Sequence, residues 1–147
     1  MTPVTDRPTI DLLARVPLFE DLPRSYLGRL ASLATESRFE AGGVIVKKDD
    51  PGRAFFVIVE GSARVVKGSS ANARTDAELH AGDFFGELAL LDGEARTATV
   101  VATTALRTIR IERAAFRHLV RDEPNLALKV LEGMARRTRQ ILDSPPL

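Results

Sequence analysis

Cysteine is absent from the 147 residues. That excludes a disulfide scaffold and thiolate metal sites, and it fits a reducing compartment such as the cytoplasm. Histidine is scarce. His80 falls near a strand end and His118 on a helix, and these two do not make the clustered histidine and carboxylate set that a barrel metal site needs. No serine, histidine and acid arrangement stands out either, so the expectation is a protein that is not an enzyme and holds no metal. Charge of one sign is also missing. A formal net charge of +1 supplies no field that calls for nucleic acid or an anionic membrane. No apolar run approaches the roughly 20 residues of a spanning helix. The opening Met1–Pro8 lacks the apolar core of a signal peptide. No tandem repeat is visible, and no helix of useful length separates the strands, which argues against a parallel sheet.

What is present is ordinary globular material. Hydrophobic residues make up 44% and charged residues 28%, and a chain of this length suits one core. Residues 1–8, with two prolines, read as a loose tail. Thr9 or Asp11 can cap a short helix through Val16, with Ile10, Leu13 and Ala14 at helical spacing. Pro17 stops it, and Leu18-Phe19 reads as an anchor in the core. Pro23 suits the first turn of a second helix, with Asp21 as a candidate cap and Tyr26, Leu27, Leu30, Leu33 and Ala34 on one face.

From Ser37 the period turns strand-like. Phe39 and Val44–Val46 are β-formers, and Asp50-Pro51-Gly52 is a turn. Ala54–Val59 is an unbroken apolar run, read as a core strand. Glu60-Gly61-Ser62 turns it into Ala63–Lys67 as a hairpin. Gly68–Asp76 reads as a surface loop and Ala77–His80 as a short strand. After the turn Ala81-Gly82-Asp83, Phe84-Phe85 leads into Gly86-Glu87-Leu88-Ala89-Leu90-Leu91. Thr99–Ala102 and Leu106–Ile111 are the last strands. In the second, Leu106, Thr108 and Arg110 alternate with Arg107, Ile109 and Ile111, which predicts one solvated face. Two helices follow, one from Glu112 to about Val120 and one from about Asp122 to Leu142. The expected fold is α+β: an antiparallel β jelly-roll (double-stranded β-helix) barrel with N-terminal helices and two C-terminal helices.

The chemistry concentrates at Gly86–Ala98. Gly86 lets backbone approach a ligand closely. Leu88–Leu91 form about one helical turn, whose N-terminal amides favour an anion. Glu87 at the same end can accept from a ligand hydroxyl. Arg96 offers a planar fork for two phosphate oxygens. Amides and an arginine for phosphate, with a carboxylate for a sugar, suit a phosphosugar. The plainer alternative is a glycine turn with an exposed Glu87 and a surface Arg96 paired with Glu94 or Asp92.

Phe85–Leu91, followed by Arg96-Thr97-Ala98-Thr99-Val100, resembles the phosphate-binding cassette of cyclic nucleotide-binding domains. Such domains occur in cyclic-AMP-dependent kinase regulatory subunits, cyclic-nucleotide-gated channels and the catabolite activator family. The resemblance extends over residues 10–142: Pro17-Leu18-Phe19 and its helix, Phe55–Val66, the turn Ala81-Gly82-Asp83 and the last two helices each look like the family's counterparts. It implies a single cyclic nucleotide-binding domain over 9–142, with helices at 9–35, the barrel at 36–111 and C-terminal helices at 112–142, and a tail at 143–147. It implies a non-catalytic regulatory module that binds cAMP or cGMP and moves its C-terminal helices in response. Glu87 would take the ribose 2′-hydroxyl and Arg96 the cyclic phosphate. The amides of Gly86, Glu87 or Leu88, and of Thr97 or Ala98, would complete the cage. In this family a hydroxyl after the arginine is associated with guanine and alanine with cAMP, so Thr97 leaves both nucleotides open. Its other reading is a β-branched residue starting a strand.

The last helix falls to covering the base in this family, with Arg136, Arg137, Arg139, Met134 and Leu131 as candidates. Its stripe Ala127, Leu131, Ala135, Thr138 and Leu142 suits either packing on the barrel or a homodimer contact. Mid-helix Gly133 marks a bend or a close approach. A DNA-binding regulator would need a helix-turn-helix after this helix, and the chain to Leu147 leaves no room for one, so no nucleic acid is expected as a partner of this chain. An unidentified effector protein is the other expected partner. The remaining alternatives are a sensor fragment of a larger transcription regulator, channel or kinase, or a ligand-free domain used for protein contacts.

Overall fold

The apolar run Ala54–Val59 has no polar residue to turn toward water, so both of its faces need cover. The computed structural model describes residues 7–67 and 74–143. Its helices are α1 (Arg7–Ala14), α2 (Arg24–Leu33), α3 (Ala89–Asp92), α4 (Arg113–Asp122) and α5 (Pro124–Asp143), with a 3₁₀ turn at Pro17–Phe19. The strands are β1 (Thr35–Phe39), β2 (Val44–Val46), β3 (Ala54–Glu60), β4 (Ala63–Lys67), β5 (Arg74–Leu79), β6 (Phe84–Phe85), β7 (Thr99–Ala102) and β8 (Leu106–Glu112). They form two four-stranded sheets, ordered β1-β8-β3-β6 and β2-β7-β4-β5, with antiparallel pairing throughout. This is the expected jelly-roll barrel with helices at both ends.

Strand β3 gets its two-sided cover from the pleat. Phe55 and Val57 point to the helices, where they join Leu13, Phe19, Leu30 and Phe116 in the larger core. Ile58 points the other way, into a smaller core with Ala63, Val100, Ala102 and Leu106 between the sheets. Phe19 sits at the centre of the larger core. Its ring meets Phe55 edge-on at 5.8 Å and lies 6.4 Å from Phe116. The anchor expected at Leu18-Phe19 is buried as read.

Four expectations need correction. The first is the hairpin at 54–67. Both edges of β3 are taken, by β8 and β6, so the chain crosses at Glu60–Ser62 to the facing sheet, where β4 pairs with β7 and β5. The hairpin is instead β4–β5. Its strand β5 already includes Arg74, ahead of the expected Ala77, and the loop residues 68–73 lie outside the described residues. The second is the solvated face of β8. Lying between β1 and β3, it is covered on both sides: Ile109 and Ile111 face the helices, while Leu106 and Thr108 are buried on the interior side. The Thr108 hydroxyl is satisfied by donating to the Ser37 carbonyl at 3.2 Å.

The third and fourth concern caps and termini. Helix α1 already includes Arg7 and Pro8 of the expected tail, and Pro8 is compatible with an early helical turn. Thr9, which is buried, and Asp11, which pairs with Arg24 at 3.1 Å, both lie within the helix, so neither stands at its N-cap. Asp21 does not cap α2; Pro23 holds that position, and the Asp21 carboxylate pairs with Arg136 on α5. Residues 1–6 and 144–147 lie outside the described residues. Among the described residues no helix is long and apolar enough to cross a membrane.

Phe19→Ala is expected to lower unfolding stability by about 3–5 kcal/mol, because it leaves a cavity where the fully buried ring meets Phe55 and Phe116. Urea unfolding checks this, and a loss under about 1 kcal/mol would remove Phe19 from the centre of the core.

Candidate functional site

The segment after β6 is shaped by one glycine. Gly86 has φ +82°, and a Cβ there would collide with the Arg96 guanidinium and approach the Ala54 carbonyl at 3.0 Å. A side chain is therefore excluded twice, by backbone conformation and by space. Past Gly86 the chain makes the single turn α3, closed at its end by Gly93 in the left-handed region. Four residues align too few peptide dipoles for a helix-end field. What the turn does provide is amides: the N–H groups of Glu87, Leu88, Thr97 and Ala98 have no acceptor among the described residues. The Glu87 carboxylate, half-buried, has no hydrogen-bond or ion-pair partner among them either.

Arg96 is held from behind. Its backbone N–H donates to the Asp50 carbonyl at 2.8 Å, and its carbonyl accepts from Asp49 N–H at 2.8 Å. Gly52 N–H donates to the Glu94 carbonyl at 3.1 Å. Gly52 fits because a Cβ there would lie 2.5 Å from that same carbonyl oxygen. The turn Asp49–Gly52 thus fixes the segment that carries the arginine. The guanidinium turns inward over Gly86, and its Nη2 donates to the Ala54 carbonyl. The alternative of a surface arginine paired with Glu94 or Asp92 is not what forms. Asp92 Oδ1 accepts instead from Glu94 N–H at 2.9 Å.

The electrostatics of Arg96 follow from this placement. Burial pushes its pKa below the usual arginine value, and the nearby Arg110 cation pushes it the same way. Arg110 is a residue that sequence reasoning missed. It projects from β8 on the Leu106 and Thr108 side, lies 5.7 Å from the Phe56 ring centre, and pairs with Glu112 at 2.5 Å. Phe56 in turn stacks on Phe85 at 5.1 Å. The signal was available: an arginine in phase with two core residues marks an inward-facing cation.

Two clefts meet at Arg96. One, of about 260 Å³, runs between Gly86–Ala89 and Glu94–Thr97. The other, of about 150 Å³, reaches from Arg96 past Phe56 and Arg110 to Lys47 and Arg53. The expected residues Gly86, Glu87, Leu88, Arg96 and Thr97 therefore line one cleft, with Ala98 adjacent in sequence. Thr97 is exposed and lies outside any strand, since β7 starts at Thr99, so the strand-start reading of Thr97 fails.

No residue of α5 lines either cleft. Arg136 is committed to Asp21, whose hydrogen bond and charge raise its pKa. Gly133 marks a close approach: a Cβ there would lie 3.3 Å from the Asp21 carboxylate and 3.8 Å from the Leu18 carbonyl. Helix α5 buries Leu126, Val130 and Gly133 and leaves the Leu131 and Leu142 side outward. His80 lies 3.9 Å from Glu78 and His118 3.6 Å from Asp122, both exposed. Among the described residues no group of three or more His, Cys, Asp or Glu could hold a metal ion.

The family model for the cyclic nucleotide-binding domain matches residues 36–123. A cAMP-dependent protein kinase regulatory subunit of Colletotrichum orbiculare is 33% identical over 129 residues, 88% of this chain and 30% of that protein. A cGMP-dependent protein kinase of Caenorhabditis elegans is 30% identical over 140 residues, 93% of this chain and 18% of that protein. The crystal structure of the N-terminal domain of a transcriptional regulator from Streptomyces coelicolor A3(2) superposes with a TM-score of 0.84 at 27% identity, covering 93% of this chain and 99% of that one. The chain thus spans less than a third of these two curated relatives.

The Arg96 environment generates a stability prediction. A base whose folded pKa lies below its unfolded value costs stability wherever it is charged, that is, at every pH below the folded pKa. Removing the charge removes that cost and loses one hydrogen bond worth about 1 kcal/mol. Arg96→Gln without ligand is therefore expected to change unfolding stability by less than about 1 kcal/mol in either direction. A loss above about 2 kcal/mol in urea unfolding would make Arg96 a structural residue.

Proposed function

Because the chain belongs to the cyclic nucleotide-binding domain family, we propose that residues 9–142 act as one regulatory module that takes cAMP or cGMP at the Arg96 cleft. The observation that carries this is Arg96 itself: a half-buried guanidinium with no carboxylate partner, beside a second cation and unbonded amides. A cyclic phosphate supplies the missing negative charge. Arg96 holds its oxygens, and the amides of Gly86, Glu87 or Leu88, and of Thr97 or Ala98, complete the cage. Glu87 accepts from the ribose 2′-hydroxyl, a role for which its free carboxylate is suited.

Thr97 keeps its hydroxyl at the cleft edge and is the residue on which base preference turns. The two curated relatives differ in the nucleotide of their names, so cAMP and cGMP both belong in the test. The module is regulatory and not catalytic on this reading, works without a metal, and sits in the cytoplasm, consistent with its lack of cysteine. Binding acts on α4 and α5 to the extent that the nucleotide prefers one arrangement of them. The reader of that change is an effector protein or a longer chain of which this module is part.

At about 100 times its dissociation constant, the preferred nucleotide is expected to add about 2.7 kcal/mol of stability, a melting-temperature rise of several degrees. No rise with either nucleotide at millimolar concentration would reject the reading. Arg96→Ala should weaken binding by about 2–5 kcal/mol by isothermal titration, through loss of the charge opposite the phosphate.

A homodimer through α5 is supported by a separate observation. Ile141 and Leu142 are 72% and 76% exposed near the end of one long helix. Sedimentation equilibrium is expected to give a dimer that Ile141→Asp with Leu142→Asp returns to monomer; a wild-type monomer at ~100 μM counts against it.

A further inference from the structure

Helix α4 presents a second set of arginines, on the far side of Gly93 from the nucleotide cleft. Arg113, Arg117 and Arg121 recur at every fourth residue and so form one stripe. With Arg53 they line a cleft of about 500 Å³ whose floor is Pro51, Gly52 and Gly93. None of the four has an ion-pair partner among the described residues. The acidic group in the cleft, Glu112, is engaged by Arg110 at 2.5 Å. Arg113 lies across Gly93, and its enclosed Nε has no hydrogen-bond partner. Four like charges held together without counter-charge repel one another.

The stripe borders an apolar groove. Leu90 and Leu91 of α3, Phe116 and Val120 of α4, and Val130 and Leu131 of α5 enclose about 270 Å³, and Arg117 and Arg121 form the rim shared with the basic cleft. Leu131 is 60% exposed there. An apolar groove edged by arginines has the composition of a protein recognition surface, where arginine anchors surround a desolvated patch.

We propose that the α4 face is a docking surface for an acidic amphipathic segment of a partner protein, which seats apolar side chains in the groove and carboxylates on Arg53, Arg113, Arg117 and Arg121. Charge complementarity selects the sign of the partner, and the groove selects a peptide over a bare polyanion, which would leave the apolar walls uncovered. The surface meets the second Arg96 cleft at Pro51 and Arg53 and otherwise lies on α4 and Gly93, and the proposal stands whether or not a nucleotide binds at Arg96.

The test is an NMR titration of the ¹⁵N- and methyl-labelled chain with a helical peptide carrying leucines at i, i+4 and i+7 and glutamates on its remaining face. The arginine Nε–H signals of Arg113, Arg117 and Arg121 and the methyls of Leu90, Val120 and Leu131 are expected to shift together. Affinity should fall about tenfold or more in Arg117→Glu with Arg121→Glu, and steeply with salt. Both arginines are exposed and unpaired, so the double variant should keep the wild-type melting temperature. Leu131→Ser, also at an exposed position, should weaken the leucine-bearing peptide and leave an all-glutamate peptide unaffected. Three results would overturn the proposal: no shifts at millimolar peptide, equal binding by the arginine double variant, or tighter binding of a DNA or RNA oligomer to the same arginines. Self-association that Leu131→Ser abolishes, with no peptide effect, would assign the groove to a second copy and also overturn it.

Discussion

The antiparallel pairing of β3 with β8 is the constraint on which the rest of the structure depends. Their register sets Phe56 opposite Arg110 and Val57 opposite Ile109. Because side chains alternate at period two, this one register decides two things together. It sends Phe55, Val57, Ile109 and Ile111 out to meet the helices. It leaves Ala54, Phe56 and Arg110 around the barrel end where Arg96 arrives. A slip of one residue would put Arg110 against Phe19 and Phe116, where a cation would lose its hydration with nothing to replace it. Hydrophobic burial and the placement of charge therefore enforce the same register.

The Arg96 site follows from that frame by a second constraint, the packing of two turns. Asp49–Gly52 and Glu94–Arg96 exchange three backbone hydrogen bonds of 2.8–3.1 Å. They fix the arginine's backbone while leaving its fork free. The fork is then confined by Gly86 and by the Ala54 carbonyl. A carbonyl is a weak counterpart for a full positive charge, and Arg110 opposes it. The guanidinium is thus unfavourably placed in electrostatic terms but well held by hydrogen bonds and close packing, an arrangement from which an anion would gain.

How much of this could be read in advance varies with the kind of interaction. Local patterns were legible. The apolar run at 54–59, the anchor at Leu18-Phe19 and the glycine, glutamate and arginine of the cleft follow from residue type and spacing. Edges and partners were not. Nothing in Glu60-Gly61-Ser62 distinguishes a hairpin turn from a crossing between sheets; that depends on β3 having both edges occupied by strands distant in sequence. Asp21 looked like a cap because a capping carboxylate and a long-range ion pair look alike until Arg136 comes within reach. On β8 the alternation is legible, but periodicity reports two faces and not what covers them, so the inward position of Arg110 is not.

The fold also joins the cleft to α4 through contacts close enough to transmit a displacement. The backbone of Arg96 is bonded to the turn at Asp49–Asp50, and that turn continues through Gly52 to Arg53. The Arg53 carbonyl accepts from the N–H of Arg113, the first residue of α4, at 2.7 Å. A second route runs from α3 through Gly93 to the side chain of Arg113. Both routes are short and made of backbone or of a side chain packed on backbone, so little slack separates the two ends. Proximity alone does not make a switch; the ligand must favour one arrangement over another. On the proposed reading Arg96 would meet that requirement in part, because an anion between Arg96 and Arg110 would offset their mutual repulsion. Offsetting that repulsion would change the force on a segment whose next neighbours are the turn at Arg53 and the start of α4, and the work available to move the helix would be bounded by the ligand's difference in affinity for the two arrangements.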